Sequence, residues 1–274
     1  MRFFFIVNVN RKEAIKRTKL AVNIIKELGG EYAIENSNSI AFGKEFEFDS
    51  VFHISSYNFI IAVGGDGTIM AAAKYAFEYN LPVLGINAGR MGFLCGLEGH
   101  DLKNLEKIFN GDYNEEKRTL LEIEWNDKKT IAVNDAVFVK PVLGSIIDLK
   151  VFESDNFVIE YRADSVLFST PTGSTAYALS NGGPVADPNL KFISMSPICS
   201  HSLISRAYLF SDNAEIKADV GKSNKAYLIV DGKKMDLLEK GTEVKIRKSD
   251  RWLRLVYLED IPFFELLRKK FFPS

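Results

Sequence analysis

Between Phe59 and Ala76 the chain reads FIIAVGGDGTIMAAAKYA: a short apolar run, three glycines around one aspartate, then an alanine-rich segment. Asp-Gly is a favoured hairpin turn, but a hairpin needs a strand on each side. The segment after the turn, TIMAAAKYAFEYN, suits a helix instead. Strand, glycine turn and helix in succession imply parallel strands and the α/β class. Such a unit leaves free backbone N–H groups at a helix start, where an anionic phosphate is well held.

The same alternation runs through the first part of the chain. FFFIVNV reads as a buried strand and RKEAIKRTKLAVNIIKELGG as a helix, stopped by Gly29 and Gly30. Residues 31–57 read as a short strand and a loop. Phe59–Val63 is a strand, Thr68–Tyr79 a helix and LPVLGIN another strand; HDLKNLEKIFNG is a helix with Asp101 as cap and Gly111 past its end. After Arg118 the segments TLLEIEW, KTIAVNDAVFV, IIDLKVFES, NFVIEYRADSVLFST, KAYLIVDG and TEVKIRK are strand-like, separated by ND, SDN and DG turns. The expected organisation is an α/β domain over 1–118, Rossmann-like and three-layered, a β-rich domain over 119–250, and a segment over 251–274 whose helix, IPFFELLRKKFF, packs back on the first domain. Its basic run, RKK, reads as a solvated helix end.

Composition narrows the function classes. The 274 residues are 46% hydrophobic and 26% charged with a net charge of −1, so the basic excess of a nucleic-acid binder is missing. Two cysteines, Cys95 and Cys199, make no disulfide framework and fit a reducing compartment. No apolar run has the length of a membrane span. The expectation is a cytoplasmic protein. His53, His100 and His201 are far apart and lack ligand spacing, so no metal-ligand set is assigned.

The phosphate site is of neither common kind. Met70 stands where a dinucleotide fingerprint needs its third glycine, and Ile216 where a P-loop ending in Gly221-Lys222-Ser223 needs its first. A carboxylate beside phosphates is repulsive unless it takes a proton or meets a metal, the situation of phosphoryl transfer. Three further stretches belong with it. NAGRMGFL, residues 87–94, follows a strand where a parallel sheet opens its ligand crevice. VNDAVFV puts Asn134 and Asp135 either inside a strand, where polar groups need partners, or in a turn. In RADSVLFSTPTGSTAYALSNGGPVADP, four hydroxyls between Ser169 and Ser174 surround Pro171 and Gly173, a surface suited to close approach by a polar ligand.

GGDGT at Gly64–Thr68, NAGRMGFL, Asn134–Asp135 and STPTGSTAY…GGP from Ser169 to Pro184 together resemble the NAD kinases. The resemblance implies transfer of a phosphoryl group from ATP to the 2′-hydroxyl of the adenosine ribose of NAD, with Mg2+, in a homo-oligomer (dimer or tetramer) with no nucleic-acid or membrane partner. It implies that Asp66 is the base, with Gly65, Gly67 and Thr68 bordering the same site. Asn134 and Asp135 would hold ribose or adenine atoms, and Asp164, with Arg162 beside it, would lie near the nicotinamide half. Thr175, Ala176, Tyr177 and Ser180 would wall the NAD site, with Tyr177 against a base and Phe93 covering the pocket. Met91 stands where the family usually has leucine. Ser165 stands where it commonly has glycine, and a positive φ there would strain a serine. GGDGT alone also occurs in lipid and sugar kinases, which NADP formation would exclude, and a non-catalytic dinucleotide module would bind NAD without turnover.

Overall fold

The computed structural model describes every residue except 90–91, 202–204, 222–224, 260 and 272–274. The departure at Met91 lies outside the described residues. Two compact units are present: Met1–Lys117 with Leu253–Ser274, and Arg118–Trp252.

The first unit is built on a parallel sheet. Arg2–Val7 and Phe59–Gly64 are apolar on both faces because both are covered, and they pair in parallel from Phe3–Phe59 to Val7–Val63. Glu31–Glu35 flanks Arg2–Val7 on one side, and Val83–Asn87 flanks Phe59–Gly64 on the other. Phe3, Phe5, Val7, Ile61 and Val63 share a core with Ala14, Ala21, Val22 and Ile25 of helix Lys12–Glu27. Helix Asp66–Tyr79 buries Ile69, Ala72, Ala73 and Ala76, and Gly85 is bare where Ile69 crosses the sheet: a Cβ there would lie 2.3 Å from Ile69 Cδ1. Gly85 alternates with Leu84 and Ile86 of the first core, so the second helix covers the opposite face. The α/β expectation holds, with helices on both faces of the sheet.

Three local readings change. Helix Asp66–Tyr79 starts two residues earlier than the sequence suggests, with extended Gly65 at its N-cap, so Asp66 and Gly67 belong to its first turn. Residues 31–57 hold more than a strand and a loop: a 3-10 turn Asn36–Asn38, a helical turn Ser39–Phe42, a two-residue strand Phe48–Asp49 and a 3-10 run Val51–Ser56. The expected helix after His100 is a 3-10 turn Leu102–Leu105 running into helix Glu106–Asn110. Asp101 stands at its N-cap position as expected, but its side chain makes no capping bond; its carboxylate pairs with His100 at 3.0 Å. Gly111 ends it at φ 72°.

The second unit is antiparallel. Asn156–Ser169 lies between Phe192–Ser200 and Asp135–Val139 and forms a hairpin with Ile147–Glu153, which pairs with Ile216–Val220. Asp135–Val139 continues to Ala226–Val230, and that strand to Lys233–Leu238. The inward residues, among them Leu149, Tyr161, Phe138, Phe168, Leu228 and Ile246, make one core. Asn126-Asp127 and Asp231-Gly232 turn their hairpins with both φ values positive, as two-residue turns of matching twist require. Among the described residues no helix is long and apolar enough to cross a membrane.

Candidate functional site

In the first unit the strand order reverses between Arg2–Val7, whose helix leads to one side, and Phe59–Gly64, whose helix leads to the other. Crevices at the carboxyl ends of such a pair are where open α/β sheets bind ligands. An open cavity of about 500 Å³ lies there, lined by Asn8, Arg11, Gly65, Asp66, Gly67 and Thr68 among others. Neither Gly65 nor Gly67 has a positive φ, and a Cβ on either would meet nothing within 4 Å. Neither strain nor packing demands glycine at these positions; what glycine leaves is room above the backbone.

Asp66 is not a bare carboxylate. Its Oδ2 accepts the Phe93 N–H at 2.9 Å, its Oδ1 accepts the Leu94 N–H at 3.0 Å, and Lys270 Nζ stands 3.5 Å from Oδ2. Gly92 makes room for this seat, since a Cβ there would fall 2.2 Å from Asp66 Oδ1. The two N–H groups fix the carboxylate's plane and leave lone pairs free on both oxygens. Phe93 is buried, with its ring beside those of Phe263 and Phe271 on helix Phe263–Phe271. Thr68 is buried and close above Gly64, where a Cβ would lie 2.1 Å from its hydroxyl.

In the second unit Asn134 follows the end of strand Lys128–Ala132, and Asp135 opens the next strand. Of the two sequence readings, the chain combines both: a break at Val133–Asn134, then a strand. Asp231 explains how the break is held. Its carboxylate accepts the N–H groups of Val133, Asn134 and Asp135 at 2.8, 2.8 and 3.1 Å, and its own N–H returns to the Asp135 carbonyl at 2.9 Å. The Thr170 hydroxyl donates to the Val133 carbonyl at 2.6 Å and the Thr170 N–H to the Asn134 carbonyl at 2.9 Å. Gly173 comes so close that a Cβ would lie 2.2 Å from that carbonyl. The hydroxyl-rich turn and the Asn134–Asp135 break are thus one packed assembly, and within it Thr175, half-buried Ala176, exposed Tyr177 and exposed Ser180 follow on the 3-10 turn Thr172–Thr175 and helix Tyr177–Ser180.

Asp135 is 5% exposed, and burial, reinforced by the Asp231 charge, pushes its carboxyl up to about 7. The protonated form is favoured by folding, so this group's contribution to stability is complete below the unfolded value near 3.8 and is lost as pH rises through about 7. Thermal unfolding is therefore expected to show lower stability at pH 8 than at pH 5.5. The full displacement corresponds to on the order of 4 kcal/mol. Asp135→Asn is expected to flatten the slope; an unchanged pH dependence in that variant would assign it to other groups.

Arg162 and Asp164 lie two residues apart on strand Asn156–Ser169. Arg162 pairs with Asp148 at 3.1 Å, and Asp164 with Lys140 at 2.7 Å. Ser165 sits in the same strand without a positive φ, so the anticipated strain does not arise. Asp231, Lys140, Arg11 and Lys270 were not singled out by the sequence reading. Asp231 looks there like an ordinary hairpin residue, and Lys270, read as part of a solvated helix end, lies against Phe93 and Asp66.

Residues 3–113 match the ATP-NAD kinase N-terminal domain family and residues 133–258 the ATP-NAD kinase C-terminal domain family. The chain is 35% identical to the NAD kinase of Caldanaerobacter subterraneus subsp. tengcongensis over 273 residues, covering 97% of this chain and 96% of the relative. It is 39% identical to the NAD kinase of Legionella pneumophila (strain Paris) over 224 residues, covering 79% and 76%. Its fold is similar to that of yeast NADH kinase complexed with NADH (TM-score 0.87, 22% identity, covering 100% of this chain and 89% of that one). It is also similar to an NAD kinase from Archaeoglobus fulgidus in complex with ATP (TM-score 0.77, 24% identity, 98% of each chain). With both halves matched and relatives aligned over nearly the whole length, the chain belongs to the ATP-NAD kinase family.

Proposed function

We propose that this protein is an NAD kinase, moving the γ-phosphoryl group of ATP to the 2′-hydroxyl of the adenosine ribose of NAD and releasing NADP and ADP. The observation that carries the reading is the Asp66 carboxylate, oriented by two backbone N–H groups at the mouth of a glycine-lined crevice. A ribose hydroxyl is a weak nucleophile at neutral pH. Asp66 takes its proton as the oxygen attacks the γ-phosphorus, and the bond to the bridging oxygen breaks, its electron pair leaving on ADP. Gly65 and Gly67 let phosphates approach the backbone, with Thr68 behind them. In the second unit, Asn134 and Asp135 bind the adenosine half of NAD, Asp164 and Arg162 the nicotinamide half, and Thr175, Ala176, Tyr177 and Ser180 the surrounding wall. The solved neighbours hold NADH in one case and ATP in the other, the two kinds of reactant proposed here.

Mg2+ fits this site as a companion of ATP. Among the described residues no three acidic, histidine or cysteine side chains gather as a metal cage. Magnesium commonly binds through one or two carboxylates and substrate phosphates, with waters retained. Asp66 is the carboxylate beside the glycines in a crevice that Glu35 also lines, and a bound Mg2+ would neutralise charge on the phosphates. A cytoplasmic homo-oligomer, dimer or tetramer, completes the proposal.

The test incubates purified protein with NAD, ATP and magnesium and measures NADP with an NADP-specific dehydrogenase. NADP that depends on both ATP and magnesium is the expected result. Tight NAD binding without turnover would move the protein to the non-catalytic reading. Gly67→Ala separates fold from function: a helical Ala for Gly is expected to leave stability unchanged or raise it by up to about 1 kcal/mol. The new methyl would occupy the crevice and lower kcat/KM for ATP. Unaltered kcat/KM would show that phosphates do not pass over Gly67.

A further inference from the structure

We propose that Lys270 is a second catalytic residue of the phosphoryl transfer, its ammonium engaging the transferred phosphoryl group as Asp66 takes the ribose proton; this rests on the kinase reading above. Arg268, Lys269 and Lys270 stand together in the last turn of helix Phe263–Phe271. Lys269 behaves as a surface residue should, pairing one turn back with Glu265 at 2.8 Å. Lys270 is turned toward Asp66, which lines the crevice: its Nζ lies 3.6 Å from the centroid of the Phe93 ring and 3.5 Å from Asp66 Oδ2. Phe93 therefore holds both groups, the carboxylate through its backbone N–H and the ammonium on its ring face. The rings of Phe263 and Phe271, on the same helix as Lys270, lie beside that of Phe93, so the ring that carries the ammonium is itself fixed in an aromatic cluster.

The distance to Asp66 matters. At 3.5 Å the pair is longer than a charge-assisted hydrogen bond, so the ammonium offsets the carboxylate's charge and keeps its donors for another oxygen. Before reaction this offset lowers the repulsion between Asp66 and incoming phosphates. During reaction the O–H bond of the ribose breaks toward Asp66, the O–P bond forms and the bridging P–O bond breaks. Asp66 becomes neutral, and Lys270 turns from it to the phosphoryl oxygens. An interaction gained in this way belongs to the transition state and appears in kcat more than in KM.

The experiment compares wild type, Lys270→Met, Lys270→Arg and Lys269→Met by steady-state NADP formation, with thermal unfolding followed alongside. Lys270→Met is expected to lower kcat by about 100-fold with little change in KM for NAD. Lys270→Arg is expected to recover most of the rate, and Lys269→Met to match wild type. Lys270→Met at the wild-type rate overturns the proposal. So does a loss confined to KM or to unfolding temperature with arginine no better than methionine. Wild-type protein that forms no NADP overturns the kinase reading and this proposal together, whereas wild-type turnover beside an equally fast Lys270→Met overturns the role of Lys270 alone.

Discussion

Asp66→Asn is expected to retain NAD binding and lose catalysis, with kcat down by about 10²–10⁴-fold. The asparagine has nearly the same shape, and its amide oxygen can accept one of the N–H groups of Phe93 and Leu94 that the carboxylate accepts now. Its NH2 then faces the other as donor against donor, a local cost of about 1–2 kcal/mol. What it cannot do is take a proton from a hydroxyl. Calorimetric titration with NAD and initial-rate measurements on the same preparation separate the two effects. Lost turnover with unchanged NAD affinity supports Asp66 as base. A kcat near wild type would remove that role, and lost NAD affinity would make Asp66 a binding residue.

The second large effect is expected at Asp231, far from Asp66 in sequence. Asp231→Ala removes the acceptor of three backbone N–H groups, from Val133, Asn134 and Asp135, and puts alanine at a φ of 47°. Hydrogen bonds to a charged group are each worth about 1.5–3 kcal/mol and do not add fully, so a loss on the order of 3 kcal/mol is expected. For a chain of this size that lowers Tm by roughly 6–12 °C. KM for NAD is expected to rise as well, because the freed backbone carries Asn134 and Asp135. Asp231→Asn provides the contrast. Asparagine tolerates the left-handed conformation, and its amide oxygen can replace Oδ1 as acceptor for Asn134 and Asp135. Its NH2 then faces the Val133 N–H, a cost of about 1–2 kcal/mol that loss of the charge reinforcing the raised carboxyl of Asp135 offsets. At pH 8 its unfolding temperature is expected near that of wild type. Equal losses in both variants would mean that the carboxylate charge, rather than the acceptor and the turn, holds the break.

The parallel strand–helix alternation, the β-rich second half and the GGDGT, Asn-Asp and STPTGSTAY signals were legible in the sequence because each is local. Phe59–Gly64 carries its apolar pattern in six consecutive residues, and the helix after it has its propensity in its own alanines. The start of that helix was misplaced by two residues because glycine and aspartate score poorly in helix interiors, while at a first turn they are tolerated and leave N–H groups free. The segment from 31 to 57 was illegible for a related reason: its short turns are held by packing and side-chain bonds, such as Tyr57 to Asp49 at 2.7 Å, and lack a period of their own.

The sequence by itself determined which chemical groups this protein has available: a carboxylate among glycines, an Asn-Asp pair and a hydroxyl-rich loop, each written within a few neighbouring residues. Tertiary structure alone decided how those groups are held. Asp66 meets backbone N–H groups 27 and 28 residues away, Asp231 gathers a break 96 to 98 residues away, and Lys270 reaches Asp66 from the other end of the chain. Such contacts depend on where folded strands and helices end, and no sequence period or local propensity encodes them.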